Sequence, residues 1–184
     1  DILPFTENKH SVFVTVMRGC NNYCSYCVVP YVRGRERSRS VQSILTEVKN
    51  AVANGVTEVN LLGQNVNSYS SDGMNFAKLL DKVSEVEGLK RLRFATSHPK
   101  DISEELIKVM AENPKVCKHL HLPFQAGSND VLKRMNRGYT REEYLSKIEK
   151  VRKLIPDVAI TTDIIVGFPD ETDEDFEQTL DVMR

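Results

Sequence analysis

The chain has 184 residues, 40% hydrophobic and 28% charged, with a formal net charge of −1. That is enough for one sizeable core, while no segment reaches the apolar length of a membrane helix and no secretory segment opens the chain. Four cysteines, three of them clustered, do not make a disulfide scaffold, which points to a reducing, cytoplasmic setting.

In chain order, Asp1 to Asn8 reads as a lead-in without an initiator Met. Val12–Met17 is an apolar, β-branched run and reads as a strand. From Arg39 to Ala53, Val41, Ile44, Leu45, Val48 and Val52 fall at helical spacing, with Ser40 as N-cap and Asn54-Gly55 as the stop. Glu58–Leu62 is the next strand. Phe76, Leu79, Leu80 and Val83 mark a second helix that ends near Gly88. Leu92–Ala95 is a third strand, followed by a helix capped by Ser103 and ended by Asn113-Pro114. Leu120–Pro123 is a fourth strand. Thr140 and Glu143 form a capping box for a helix to Leu154. Val158–Val166 is a fifth strand, and Thr172 opens a last helix through Phe176, Leu180 and Met183. Strand and helix thus alternate five times, which predicts an α/β fold with a parallel sheet, either open or closed into a barrel. In both cases the ligand site lies at the C-terminal ends of the strands.

The near-neutral balance hides an asymmetry. Between Arg18 and Arg39 stand five arginines and one acid, Glu36; between Asp163 and Arg184 stand eight acids and one base. The basic stretch is suited to a phosphate-bearing substrate, and the acidic one reads as a solvated helix face.

Within the basic stretch lies Cys20-Asn-Asn-Tyr-Cys24-Ser-Tyr-Cys27, which puts three thiols on a tight loop just after the first strand. A closed zinc site takes four ligands. Three thiolates suit an iron–sulfur cluster with one iron left for another ligand. The alternatives are three unrelated cysteines, or a zinc knuckle completed by a distant histidine. Cys117, just before the fourth strand, reads as a small core residue. His119 and His121 alternate on one strand face as metal ligands sometimes do. With no thiol or carboxylate nearby in sequence, they read instead as core or barrel-lining residues.

This cysteine spacing resembles the signature of the radical S-adenosylmethionine (SAM) enzymes. Longer stretches are similar to the methylthiotransferases of that family and cover nearly the whole chain: Arg18 through Arg39, Leu61-Leu-Gly-Gln-Asn-Val-Asn67, Ser97-His-Pro99, Leu120-His-Leu-Pro-Phe-Gln-Ala-Gly-Ser128 and Asp163-Ile-Ile-Val-Gly-Phe-Pro169. The wording of the second and fourth stretches is nearer to the tRNA branch than to the ribosomal-protein branch. The resemblance implies a partial, open TIM-like barrel of the radical SAM type. It also implies a [4Fe-4S] cluster on Cys20, Cys24 and Cys27, with S-adenosylmethionine chelating the fourth iron. Cleavage of that cofactor to a 5′-deoxyadenosyl radical would precede methylthio addition at C2 of N6-isopentenyladenosine near the tRNA anticodon. A reducing donor such as flavodoxin or ferredoxin and a monomeric state complete the expectation.

The resemblance also implies roles for single residues. Tyr26 packs near the adenine. Gln64 and Asn65 bind the cofactor's amino group, although a Gly-Gln-Asn turn is common in loops. Gln125 meets the ribose or the carboxylate. Ser128 lies beside it, with a plain N-cap role equally open. Arg137, in Met135-Asn-Arg-Gly-Tyr139, reaches the carboxylate or sits on a surface turn. Asp163, Gly167 and Phe168 lie beside the adenine, and Asp163, inside an apolar strand, is expected to be buried with a partner. Arg33, Arg35, Arg37 and Arg39 are candidates for tRNA phosphates, or else form a solvated loop paired with Glu36.

The family also carries an N-terminal domain with a second cluster and a C-terminal RNA-binding domain. Neither is expected in residues 1–184, which read as one partial core domain ending after the fifth of the usual six strands. The chain is therefore expected to carry the cofactor-cleaving half of the reaction. Two further readings stand beside this one: a ribosomal-protein methylthiotransferase, and a non-catalytic iron–sulfur or zinc module.

Overall fold

The computed structural model describes residues 10–184, and the lead-in segment lies outside the described residues. In chain order the elements are β1 (Ser11–Thr15), β2 (Met17–Arg18), α1 (Val29–Arg33), β3 (Arg37–Ser38), α2 (Val41–Ala53), β4 (Glu58–Leu62), β5 (Ser70–Ser71), β6 (Met74–Asn75), α3 (Phe76–Ser84), β7 (Arg91–Phe94), α4 (Glu104–Glu112), β8 (His119–His121), α5 (Asn129–Arg134), α6 (Arg141–Leu154), β9 (Ala159–Thr161) and α7 (Asp173–Met183). No helix among the described residues is long and apolar enough to cross a membrane.

The long strands are parallel and each lies beside its predecessor. β1 pairs with β4, and β4 with β7, so Phe13, Asn60 and Arg93 stand in one row. Leu92 then bridges Val116, and the Cys117 N–H donates to Leu92 O at 3.0 Å, which carries the sheet toward β8. β8 pairs with β9, extended by a bridge between Gln125 and Ile164. Among the described residues no ladder returns from β9 to β1. The result is an α/β half barrel, open on one side.

The helices begin where their caps predict. The Ser40 and Ser103 hydroxyls accept from the Ser43 and Leu106 amides. Thr140 with Glu143, and Thr172 with Asp175, form reciprocal capping boxes. One sheet face carries Val12, Val14, Val59, Leu61, Leu92 and Phe94, all buried with Ile44, Val48, Leu79, Leu80, Leu106 and Met110 of α2, α3 and α4. Full burial of each such side chain contributes about 1.5–3 kcal/mol. Strand alternation sends the intervening residues to the other face. There Phe13 is 62% exposed, Glu58 pairs with Arg93 at 3.5 Å, and His119 and His121 share the Thr161 hydroxyl at 3.1 and 3.0 Å. The two histidines are barrel-lining residues.

Three expectations are corrected. Regular pairing on the fifth strand covers only Ala159–Thr161, with the single later bridge at Ile164, because the open edge offers β9 no second partner. Asp163 is not buried: alternation turns it to the concave face, where its side chain is 66% exposed and faces His121 at 3.4 Å. Cys117 is half-buried.

Helix α7 packs against the loop after β8 with little clearance, beside polar contacts from Ser128, Arg134 and Arg141 to Asp175 and Asp181. The Gly127 N–H donates to the buried Thr179 hydroxyl at 2.8 Å. A Cβ on Gly127 would lie 2.3 Å from Gln178 O, which is backbone and cannot yield. Gly127→Ala is therefore expected to push α7 off the barrel and cost about 1–3 kcal/mol in urea unfolding. Wild-type stability in that variant would contradict this packing.

Candidate functional site

The chain leaves the C-terminal end of β1 into a loop closed at its base by β2 and β3, which pair antiparallel as Met17↔Ser38 and Arg18↔Arg37. Gly19 has φ +77°, and a Cβ there would lie 2.2 Å from Arg35 O, so only glycine lets the two loop limbs touch. The Cys20 N–H donates to Gly34 O at 3.2 Å. Asn21 and Glu36 exchange hydrogen bonds both ways, at 3.2 Å from each amide. Glu36 is thus paired with the cysteine loop. A turn with Cys27 N–H donating to Cys24 O at 2.9 Å sets the last two thiols.

The far side of this loop rests on the turn between α5 and α6. Ser25 N–H donates to Met135 O at 3.0 Å. The Asn136 amide donates to Asn22 O and Tyr23 O at 3.3 and 3.0 Å. Lys100 reaches Asn22 Oδ1 at 2.7 Å. Asn136 and Gly138 both have positive φ, 56° and 68°, which folds the turn back toward the loop.

Arg137, 4% exposed, lies beneath the loop. Its Nη1 faces Cys24 Sγ at 3.4 Å and Tyr26 Oη at 3.2 Å; Nη2 donates to Pro123 O at 2.7 Å, and Nε to Tyr139 Oη at 3.1 Å. His98 stands on the other side of the same sulfur, with Nε2 at 4.0 Å. Its Nδ1 accepts the Lys100 amide at 3.2 Å, so in the neutral ring the proton is assigned to Nε2, facing Cys24. Burial first, then the Arg137 charge, push the His98 pKa down to about 3. Burial likewise pushes the Cys20 thiol up, with added repulsion from Glu36 and from the other two thiols of the loop. Burial also raises the Tyr26 hydroxyl.

Among the described residues no three His, Cys, Asp or Glu side chains converge on one ion position. A four-iron cluster does not ask for that, since each thiolate binds its own iron. The donor chemistry fits such a group: three thiols on one loop, within electrostatic reach of each other, with a cation behind the buried one.

The remaining candidates divide into frame and surface. Gln64 Oε1 accepts the Gly19 N–H at 2.7 Å and braces the loop. Asn65 is 1% exposed and its amide donates to Asp101 at 2.6 Å. Ser128 caps α5 and bonds Asp175, which is the plain N-cap role. Arg39 is also frame: it donates to Thr15 O at 2.6 Å and Ser43 at 2.8 Å, and pairs with Glu47 at 2.6 Å. Arg33, Arg35 and Arg37 are exposed. Gln125 has φ +70°, a strained setting for a non-glycine residue, while its backbone bonds Asp163 O and Ile165 N–H. Gly167 has φ +75° with open space beside it, and its N–H and that of Phe168 converge on Glu171 Oε2 at 2.6 and 3.0 Å. Phe168 is half-buried beneath the Arg134 guanidinium. Sequence reasoning missed His98, Tyr139 and Asn136, whose roles rest on contacts remote in sequence; the Ser97-His-Pro99 stretch was the one signal toward His98.

Residues 14–183 match the family described as the radical SAM superfamily. The tRNA-2-methylthio-N(6)-dimethylallyladenosine synthase of Caldicellulosiruptor saccharolyticus is 62% identical over 177 residues, 95% of this chain and 38% of that protein. The synthase of the same name from Finegoldia magna is 58% identical over 187 residues, 100% of this chain and 41% of that protein. The chain thus spans about 40% of the length of the curated relatives it matches. Among solved structures, the cobalamin-dependent S-adenosylmethionine radical enzyme OxsB superposes with a TM-score of 0.75 at 15% identity, over 95% of this chain and 26% of its own. The radical S-adenosylmethionine methyltransferase TsrM from Kitasatospora setae gives 0.72 at 20% identity, over 93% and 34%. These two likenesses concern the fold.

Gln64→Ala would leave the Gly19 N–H without its acceptor, at a cost of about 1–3 kcal/mol. Amide exchange at Gly19 and Cys20 is expected to rise roughly tenfold or more, with every 1.4 kcal/mol of lost protection worth tenfold. Unchanged exchange at both amides would remove Gln64 from the loop's support.

Proposed function

The chain belongs to the radical SAM superfamily, and from that membership we propose that it forms the cofactor-cleaving core of a tRNA methylthiotransferase. The proposed reaction places a methylthio group at C2 of N6-isopentenyladenosine near the anticodon. The observation that carries this reading is the loop of Cys20, Cys24 and Cys27, docked at the C-terminal mouth of an open α/β barrel. Identities of 62% and 58% to synthases named for that nucleoside support the substrate.

Cys20, Cys24 and Cys27 would each hold one iron of a [4Fe-4S] cluster and leave the fourth to S-adenosylmethionine. Bound together, those groups supply a one-electron cleavage of the cofactor's carbon–sulfur bond. The chain's own residues hold and screen. Tyr26, Gln125, Asp163, Gly167 and Phe168 are the proposed cofactor contacts at the mouth. Gln64, Asn65, Ser128 and Arg137 act behind them by fixing the turns that carry the site. Arg33, Arg35 and Arg37 would contact tRNA phosphates, which raises affinity without reading sequence. A flavodoxin or ferredoxin donor, a monomeric state and a cytoplasmic setting belong to the same proposal. So do a second [4Fe-4S] cluster and an RNA-binding domain elsewhere in the full-length protein.

After anaerobic reconstitution, Cys20→Ala, Cys24→Ala and Cys27→Ala are each expected to lose the cluster, whereas Cys117→Ala keeps wild-type iron. Iron retained in a triplet variant and lost with Cys117 would refute the ligand set. In the full-length protein, replacing Arg33, Arg35 and Arg37 together by Ala is expected to weaken tRNA binding. It should also flatten the salt dependence by about 0.7–0.9 per phosphate contact removed. A wild-type salt slope would mean a merely solvated loop. Methylthiolation of a ribosomal protein in place of tRNA would overturn the substrate.

A further inference from the structure

Arg137 is buried and makes four hydrogen-bonding contacts, yet every partner is neutral or a thiol. Among the described residues no carboxylate pairs with it; the arginines that do form ion pairs are Arg39, Arg91, Arg93, Arg134 and Arg141. A buried guanidinium without a counter-ion is costly, because its charge has left water and met no opposite charge. The group that faces it is Cys24 Sγ at 3.4 Å. As a thiolate ligand, that sulfur would be the missing anion. The other acceptors fix the guanidinium in place: Pro123 O, just past β8, takes Nη2 at 2.7 Å, and Tyr139 Oη, whose own hydroxyl donates to Phe124 O at 2.8 Å, takes Nε at 3.1 Å.

We propose that Arg137 is a positioning residue that holds the Cys24 thiolate and raises the reduction potential of the cluster ligated there. The inference rests on the cluster assignment made above. A hydrogen bond to a ligating sulfur and a fixed positive charge both favour the reduced, more negative state of an iron–sulfur cluster. The arginine fork also ties Cys24 and Tyr26 to Pro123 in the loop after β8, so one side chain joins the cysteine loop to the opposite part of the barrel. His98 Nε2–H, on the other flank of the sulfur, works in the same direction at longer range.

The test is a redox titration of the reconstituted chain, followed by electron paramagnetic resonance, on wild type, Arg137→Met and Arg137→Lys. Arg137→Met is expected to retain its iron while the cluster becomes harder to reduce by roughly tenfold, a shift of ~59 mV to more negative potential for a one-electron couple. Retained iron with the wild-type potential overturns the proposal. Should Arg137→Met fail to fold or load, Arg137→Lys decides, because it returns a charged donor without the fork. A loaded cluster near the wild-type potential supports a role toward the thiolate. An Arg137→Lys protein that also fails to load assigns the arginine to packing alone and overturns it. Absence of any cluster in wild type would be a failure of the ligand assignment, visible before the variants are compared.

Discussion

Everything at this site depends on one long-range contact, the docking of the cysteine loop onto the turn between α5 and α6. Loop and turn are more than a hundred residues apart in sequence, and Arg137 follows Cys24 by 113 positions. Ser25, Asn22 and Tyr23 meet Met135 and Asn136 through backbone and amide hydrogen bonds, and Arg137 passes beneath them to the sulfur. The base of the loop is fixed independently, by the β2–β3 pair, Gly19 against Arg35 and the Gln64 brace. A loop held at base and tip keeps its thiols in place before any ligand arrives, so ligation need not supply all of the ordering entropy.

The open side of the barrel sets a second condition. Because no ladder joins β9 to β1 among the described residues, the concave face stays accessible and polar, with His119, His121, Thr161 and Asp163 hydrogen-bonded in one group. The convex face holds nearly all of the apolar packing. Stability and ligand access are thereby separated onto opposite faces of the same strands, as strand alternation allows. At the free edge, α7 is held largely by polar contacts, from Gly127 to Thr179, Ser128 to Asp175 and Arg141 to Asp181, while Met183 is 58% exposed.

The sequence made the scaffold legible wherever local chemistry decides it. Glu58–Leu62 forms over the expected residues. Ser40, Ser103, Thr140 and Thr172 each cap the helix they precede, because a cap depends on neighbours three residues away. The cysteine triplet was legible for the same reason. Side chains whose partners are distant were not. Arg39 looks like its three exposed neighbours in sequence, yet Thr15 O, Ser43 and Glu47 draw it into the frame. Asn65 and Ser128 sit in motifs suggestive of a ligand, and the internal bonds they also make, to Asp101 and Asp175, depend on partners the motifs do not contain. Asp163 reads as buried from its apolar neighbours, and is exposed because strand alternation turns it to the concave face beside His121. Arg137 reads in sequence as a carboxylate contact or a surface-turn residue; its burial and its 3.4 Å approach to the Cys24 thiol depend on a partner 113 residues away.

The central claim is that three thiolates of this loop hold a cluster whose fourth iron stays open to a ligand. The most direct measurement is the electron paramagnetic resonance spectrum of the anaerobically reconstituted and reduced wild-type chain, recorded with and without S-adenosylmethionine. The account predicts a [4Fe-4S] signal whose g-values change when the cofactor is added. A spectrum indifferent to the cofactor, or a chain that takes up zinc and no iron, would contradict it.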